Sequence, residues 1–220
     1  MLSLAVLVDG IAGAIAIFFS VLLSPLIRPW RLRWGATDAE VAQTLPGDEI
    51  VSQPRIGWTH AVTVQAPPER VWPWIVQIGC RRAGWYSYDL LDNGSQPSAE
   101  HILPEHQALA VGDRISMVSR GDFSIPVAAI EPGRALVLGG ELPASPTEPI
   151  AVTWAFVIQP HGENASRLIS RWRASWRPGL FADLAWGVLI EAIGFVMDRK
   201  MLLGIKRRAE SGNGAVADNE

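Results

Sequence analysis

One cysteine, Cys80, stands in 220 residues, so an internal disulfide framework is excluded and the redox compartment stays open. There is no cationic excess either. Lys and Arg number 19 against 22 Asp and Glu, a formal charge of -3, which leaves no basic footprint for DNA or RNA; no nucleic-acid partner is expected. No Ser or Cys sits in a G-x-S-x-G elbow, and no His-Asp partner for Cys80 can be named. Metal-ligand spacing is missing as well. Glu100, His101, Glu105 and His106 are close in sequence, but Pro104 separates the two histidines and they share no helical face, so the stretch reads as a solvated loop and not a zinc site. No metal and no cofactor are expected. Lastly, no Lys or Arg precedes Leu2, as a secretory signal would require.

What is present begins with a nearly unbroken apolar run. Leu2 to Ile27 is interrupted only by Asp9, small residues and Pro25, and is long enough to cross a bilayer, which takes about 20 helical residues. Residues 1–27 therefore read as a single transmembrane helix. Arg28, Arg31 and Arg33, with Trp30 and Trp34 among them, read as an interfacial anchor, and the positive-inside rule puts the rest of the chain in the cytoplasm. Asp9 lies near the helix end, where it reaches water. Residues 28–57 read as a juxtamembrane linker. Within it Thr37 and Glu40 have the spacing of a capping box, and the Pro-containing stretches around Pro46 and Pro54 are extended.

From residue 58 the pattern is that of a sheet and two kinds of helix. Trp58, His60, Val62 and Val64 alternate with Thr59, Ala61, Thr63 and Gln65, as in a strand with one face on a core. Pro67 and Pro68 stop it, and Val71, Trp74, Ile75 and Ile78 follow at helical spacing. Ser87 to Leu91 suggests a short helix closed by Asn93-Gly94. Further strands are expected over 111–118, 123–130, 135–138, 150–159 and 167–176, the last with Trp172 and Trp176 on one face and Arg171 and Arg173, read as solvated, on the other. Leu180 to Arg208 has a broad apolar face and too many charges for a good second membrane span. Residues 211–220 read as a disordered tail. Ten tryptophans must serve core, cavity wall or membrane interface, and periodicity does not apportion them.

Several stretches carry a resemblance. Ala66-Pro67-Pro68-Glu69-Arg70-Val71-Trp72 opens a helix directly after a strand. Ile130-Glu131-Pro132-Gly133-Arg134-Ala135-Leu136 makes a turn between strands. A Trp154-x-Phe156 strand precedes Arg167-Leu168-x-Ser170-Arg171, and the leader Arg33 to Val41 with Leu45 to Asp48 is matched by the ending Met197 to Arg208. Together they resemble the polyketide cyclase/START-like (SRPBCC, helix-grip) superfamily, in particular a bacterial subgroup. The resemblance implies an α+β domain over residues 58–210, in which a curved antiparallel sheet wraps a long C-terminal helix around a cavity for an apolar ligand. As candidate ligand-binding residues it implies Trp74, Trp85, Tyr86, Tyr88, Asp89, Trp154 and Trp172. For Tyr86, Tyr88 and Asp89 a packing and turn-capping reading stands beside the functional one.

Three functions remain open at this point. The first is a membrane-anchored binding protein for a lipid or polyketide-like molecule. The second is a cyclase/aromatase-like enzyme with Tyr86, Tyr88, Asp89 and His60 as its acid/base groups. The third is a tethered interaction module. A polar network in the cavity favours the enzyme, an apolar lining the binding protein, and a filled interior the module.

Overall fold

A computed structural model of the chain describes residues 3–145 and 148–211; the expected tail, past Ser211, lies outside the described residues. Six antiparallel strands form one sheet in the order β1-β6-β5-β4-β3-β2. They are β1 Ile56–Val64, β2 Arg114–Ser116, β3 Ser124–Glu131, β4 Ala135–Ser145, β5 Glu148–Pro160 and β6 Ser166–Ser175. Strands β2 to β6 follow one another around the sheet, and β1 returns to pair with β6. That closure sets Trp58 opposite Trp172 and Trp172 opposite Trp154. Since residues directly opposite one another share a face, three indoles come to stand side by side on the inner face.

The proline stop works as the spacing suggests: α4 runs Pro68–Val76 and buries Val71, Trp74, Ile75 and Val76. The C-terminal helix is one continuous rod of 31 residues, Leu180–Glu210. It comprises α6 Leu180–Leu184, a π-helical turn Ala185–Ile190 and α7 Glu191–Glu210. Leu202 and Ile205 of α7, Trp74 of α4 and Phe156 and Leu168 of the sheet are fully buried together. This is the helix-grip arrangement, a curved sheet closed on its long last helix.

The stretch expected as a linker is folded onto the outer face of the sheet. It holds α3 Asp38–Ala42, whose Thr37–Glu40 capping box is formed, while α2 Ser24–Arg31, which starts inside the run expected as one membrane helix, packs on α7 through Arg28 and Arg31 to Glu191. Leu45 joins Ala61, Val137, Ala155, Val157 and Ile169 in a second small core. Arg171, expected in solvent, is the clasp. Its guanidinium donates to the carbonyls of Glu40, Val41 and Gln43, to Asp48 and to Thr59 Oγ1, and it is 6% exposed. The difference has a simple cause: the end of α3 presents carbonyls with no helical partner, and a planar five-donor group can satisfy several at once. Burial alone would raise the Asp48 carboxyl, but the Leu45 N–H and the Arg173 and Arg171 guanidiniums more than offset it and hold its pKa below the ordinary value.

The first helix, α1 Leu4–Leu22, is not a free rod ahead of the domain. It runs antiparallel along α7, with Lys200 Nζ 2.7 Å from Asp9 Oδ1 and Ser20 beside Ala192. Close approach rests on glycine: a Cβ at Gly10 would lie 2.3 Å from Leu90, and one at Gly13 would lie 2.7 Å from Tyr88. Behind it Arg31 is completely buried, paired with Glu191 and donating to the Ser20 carbonyl and Ser24 Oγ. Among the described residues two helices, α1 and the 31-residue rod, are long and apolar enough to cross a membrane, by length and composition.

Candidate functional site

The helix does not fill the grip. Between the inner face of the sheet, the loop before α5 (Asp89–Asp92), α7 and α1 lies a cavity of about 450 Å3, within the range of small-molecule sites of roughly 300–1,000 Å3. Its wall is aromatic. Trp58 stacks on Trp172 (centroids 5.6 Å apart, planes at 8°) and Trp85 on Trp154 (5.3 Å, 17°), while Trp154 meets Trp172 edge-on at 5.5 Å. Met117, Met197 and Met201 add flexible, polarisable surface, and Ile17 of α1 with Leu91 of α5 closes one side. An adjoining apolar hollow of about 280 Å3 shares Met117 and Trp172. Gly194 is required beneath this wall, because a Cβ there would sit 2.6 Å from the Trp58 ring.

Few polar groups reach the lining: Ser87, Asp92 and Asp198. Asp198 Oδ1 accepts a hydrogen bond from Ser170 Oγ at 2.9 Å, and Ser170 Oγ in turn accepts from Trp154 Nε1 at 2.9 Å. Asp198 Oδ2 lies 2.5 Å from His60 Nδ1, and His60 Nε2 lies 2.8 Å from the Arg31 carbonyl. A carbonyl only accepts, so Nε2 carries a hydrogen and donates, and Asp198 and Nδ1 share one further proton between them. Ser170, Asp198, His60 and Arg31 are buried and Trp154 is partly so. The relay therefore ties the sheet, α7 and the end of α2 into one network whose carboxylate forms part of the cavity wall.

Asp92 differs. Burial, then the neighbouring Asp89 charge, pushes its carboxyl up to about 7, against a partial pull down from Ser87. Its Oδ1 has no hydrogen-bond partner, and neither do the Nε1 atoms of Trp58 and Trp172. Buried polar atoms are nearly always paired, so three unpaired ones among the lining residues mark where a polar atom of a ligand would be stabilised.

The seven candidate residues separate into two sets. Trp85, Trp154 and Trp172 line the cavity. Trp74 is fully buried away from it, against the edge of Tyr86 (5.8 Å). The Tyr86 hydroxyl donates to the Trp74 carbonyl and accepts from Gln77 Nε2, and burial raises its pKa well above the ordinary value. Tyr88 stands between α1 and α7, its ring under the Lys200 ammonium at 4.9 Å. Asp89 accepts from the backbone N–H and the hydroxyl of Ser98, which is a turn clamp. Among the described residues no cluster of metal-ligating side chains forms, and Glu100 is bonded to Arg207 and Arg208. Sequence reading passed over Asp92 and Asp198. Asp198 did leave a signal, since it falls in the apolar stripe of Gly194, Met201 and Ile205, where a charge needs a buried partner.

No family model matches this sequence, and no curated protein does. Solved structures are similar at low identity. The Zhui aromatase/cyclase from a Streptomyces species is 16% identical over 74% of this chain and 99% of its own, with a TM-score of 0.41. Protein jhp0584 from Helicobacter pylori is 15% identical over 76% and 95%, with a TM-score of 0.48. Protein MLL2253 from Mesorhizobium loti is 16% identical over 70% and 98%, with a TM-score of 0.38.

Proposed function

We propose that this protein binds a neutral, largely apolar small molecule at a membrane, in the cavity between the sheet and α7. The observation that carries the reading is the cavity itself: about 450 Å3 walled by four tryptophans and three methionines. An interior meant only to hold the fold together would close such a space, because an empty apolar hollow forfeits contacts on every side. The space counts against the interaction-module reading. Neutrality of the ligand follows from the lining, in which no Lys or Arg takes part, so a charged headgroup would be desolvated without a counter-ion. The membrane enters through the length and apolarity of α1; a single-pass anchor with a cytoplasmic domain is one form of that attachment.

One observation favours a second reading, a cyclase- or isomerase-like enzyme. Asp92 and Asp198 occupy the same wall in different environments, one carboxyl raised to about 7 and the other held by Ser170 and His60. Two such groups have the makings of an acid and a base.

The experiment is uptake of a neutral naphthylamine fluorophore by the full chain in detergent, with native mass spectrometry of whatever co-purifies. Saturable uptake at one site, lost in Met201→Trp with the fold intact, is the expected result. Uptake that is absent, or unchanged in Met201→Trp, removes the reading.

A further inference from the structure

The first helix has the composition of a membrane span, and its place in the fold gives it another geometry. Leu4, Val8, Ile11, Ile15, Phe18 and Leu22 are exposed, at alternating intervals of four and three residues. With Leu7 and Phe19, also exposed beside them, they make one broad apolar face along the helix. The opposite face carries the buried Gly10, Gly13 and Ser20, seated on α5 and α7. At its margin Asp9 pairs with Lys200, both partly exposed. A helix with one lipid-like stripe, one glycine-lined docked face and an ion pair along the seam is two-sided, whereas a lone spanning helix meets lipid all round.

We infer that α1 lies in the plane of a lipid bilayer, with its exposed stripe in the acyl layer and its glycine face on the domain, and does not cross the membrane. Two arrangements would let it cross, and each conflicts with the packing. If α1 stayed on α7, then Glu191, Asp198, Arg199 and Lys200 would enter the hydrocarbon together with the sheet, to which Asp198 is bonded through His60 and Ser170. If α1 left α7, then Asp9 would lose Lys200, the Gly10–Gly13 face would lose its partner, and Ile17 would be withdrawn from the cavity wall.

The surroundings fit an in-plane helix at an anionic surface. Leu26 and Trp30 of α2 remain exposed beyond α1, so an indole stands at headgroup level at the end of the stripe, and Arg28 and Arg33, half exposed and ion-paired to Glu191 and Asp38, lie beside it. The geometry has a consequence for the cavity. Through Ile17, α1 forms part of the wall between the bilayer and the ligand space. The inference about α1 concerns the helix alone and stands apart from whether a ligand is bound.

The test is depth along the helix. Val8→Cys, Ile11→Cys, Ile15→Cys and Phe18→Cys are made one at a time in the full chain; Cys80 is buried and stays unlabelled, with the unsubstituted chain as control. Each is labelled with an environment-sensitive fluorophore, and the protein is placed in phosphatidylcholine/phosphatidylglycerol vesicles carrying quenchers at headgroup, mid-chain or chain-end depth. An in-plane helix gives four equal, shallow depths. A spanning helix gives depths graded over about 15 Å between residues 8 and 18, from the ~1.5 Å rise per residue, and would overturn the inference. Labels that no lipid quencher reaches, in a protein that forms dimers, would overturn it too, by assigning the stripe to a second copy.

Discussion

Two glycines on the last helix should respond to the same substitution with opposite signs. Gly187 and Gly194 are seven residues apart, one in the π-helical turn and one in α7. A Cβ at Gly187 meets nothing within 4 Å, whereas one at Gly194 falls 2.6 Å from Trp58 Cη2 and Cζ2. In a helix, Gly→Ala ordinarily gains about 0.5–1 kcal/mol by restricting the unfolded chain. Gly187→Ala should gain that amount. At Gly194 the new methyl lies about 1 Å inside the ~3.5–4.0 Å contact distance of carbon atoms. Trp58 has little room to yield, being stacked on Trp172 behind it, so overpacking of about 1–3 kcal/mol outweighs the helix gain. For a domain of this size 1 kcal/mol is about 2–4 °C in Tm. Thermal unfolding followed by circular dichroism should therefore place Gly187→Ala a few degrees above the parent and Gly194→Ala below it. A displaced Trp58 also narrows the cavity, so naphthylamine uptake should fall in Gly194→Ala alone. If Gly194→Ala melted as high as Gly187→Ala, the contact between α7 and the tryptophan wall would not be as described.

Two further outcomes follow from buried charge. Asp92 has a folded pKa of about 7 against an ordinary value of 3.8, so the folded state holds its proton longer than the unfolded one. Its stabilising contribution is full below pH ~4 and is lost as pH rises through ~7, at most about 4 kcal/mol at ~1.4 kcal/mol per unit. Urea unfolding at pH 5 and pH 8 should show a loss in the parent that Asp92→Asn lacks; equal losses would refute the assignment. Arg31→Met leaves Glu191 buried with only the half-exposed Arg28 beside it, and should cost about 3 kcal/mol. Adding Glu191→Leu should recover most of that loss, since the two apolar side chains replace the pair; failure of the double variant to recover would mean that the other bonds of Arg31, to Ser20 and Ser24, carry the stability.

The fold was legible to the extent that local pattern dictates it. Alternation around Trp58 to Val64 and Val152 to Ile158 marks strands because side chains on a strand point to opposite faces. Pro67-Pro68 marks the helix start because a missing N–H is harmless there, and the apolar stripe from Phe181 to Ile205 marks the long helix. The docking of the leader is not legible in its own residues because its partner is an arginine far along the chain, and Arg171 looks like any solvated arginine until the carbonyls of α3 arrive. Of the candidate site, Trp85, Trp154 and Trp172 were named from the resemblance, while Tyr86 and Asp89, equally suggestive in sequence, are satisfied by Gln77, Trp74 and Ser98.

The sequence by itself determined the strands, the long last helix and their order, and which residues of each are apolar, since these rest on periods of two and 3.6 that any short window contains; it did not determine the break between α1 and α2. Tertiary structure decided the rest. It brought His60 to Asp198 and Arg31 to Glu191, chose which of ten indoles face the open space, and laid α1 along α7 instead of leaving it free. Pairings between residues more than a hundred positions apart depend on how the sheet closes and where the last helix crosses it, and no periodicity along the chain encodes that.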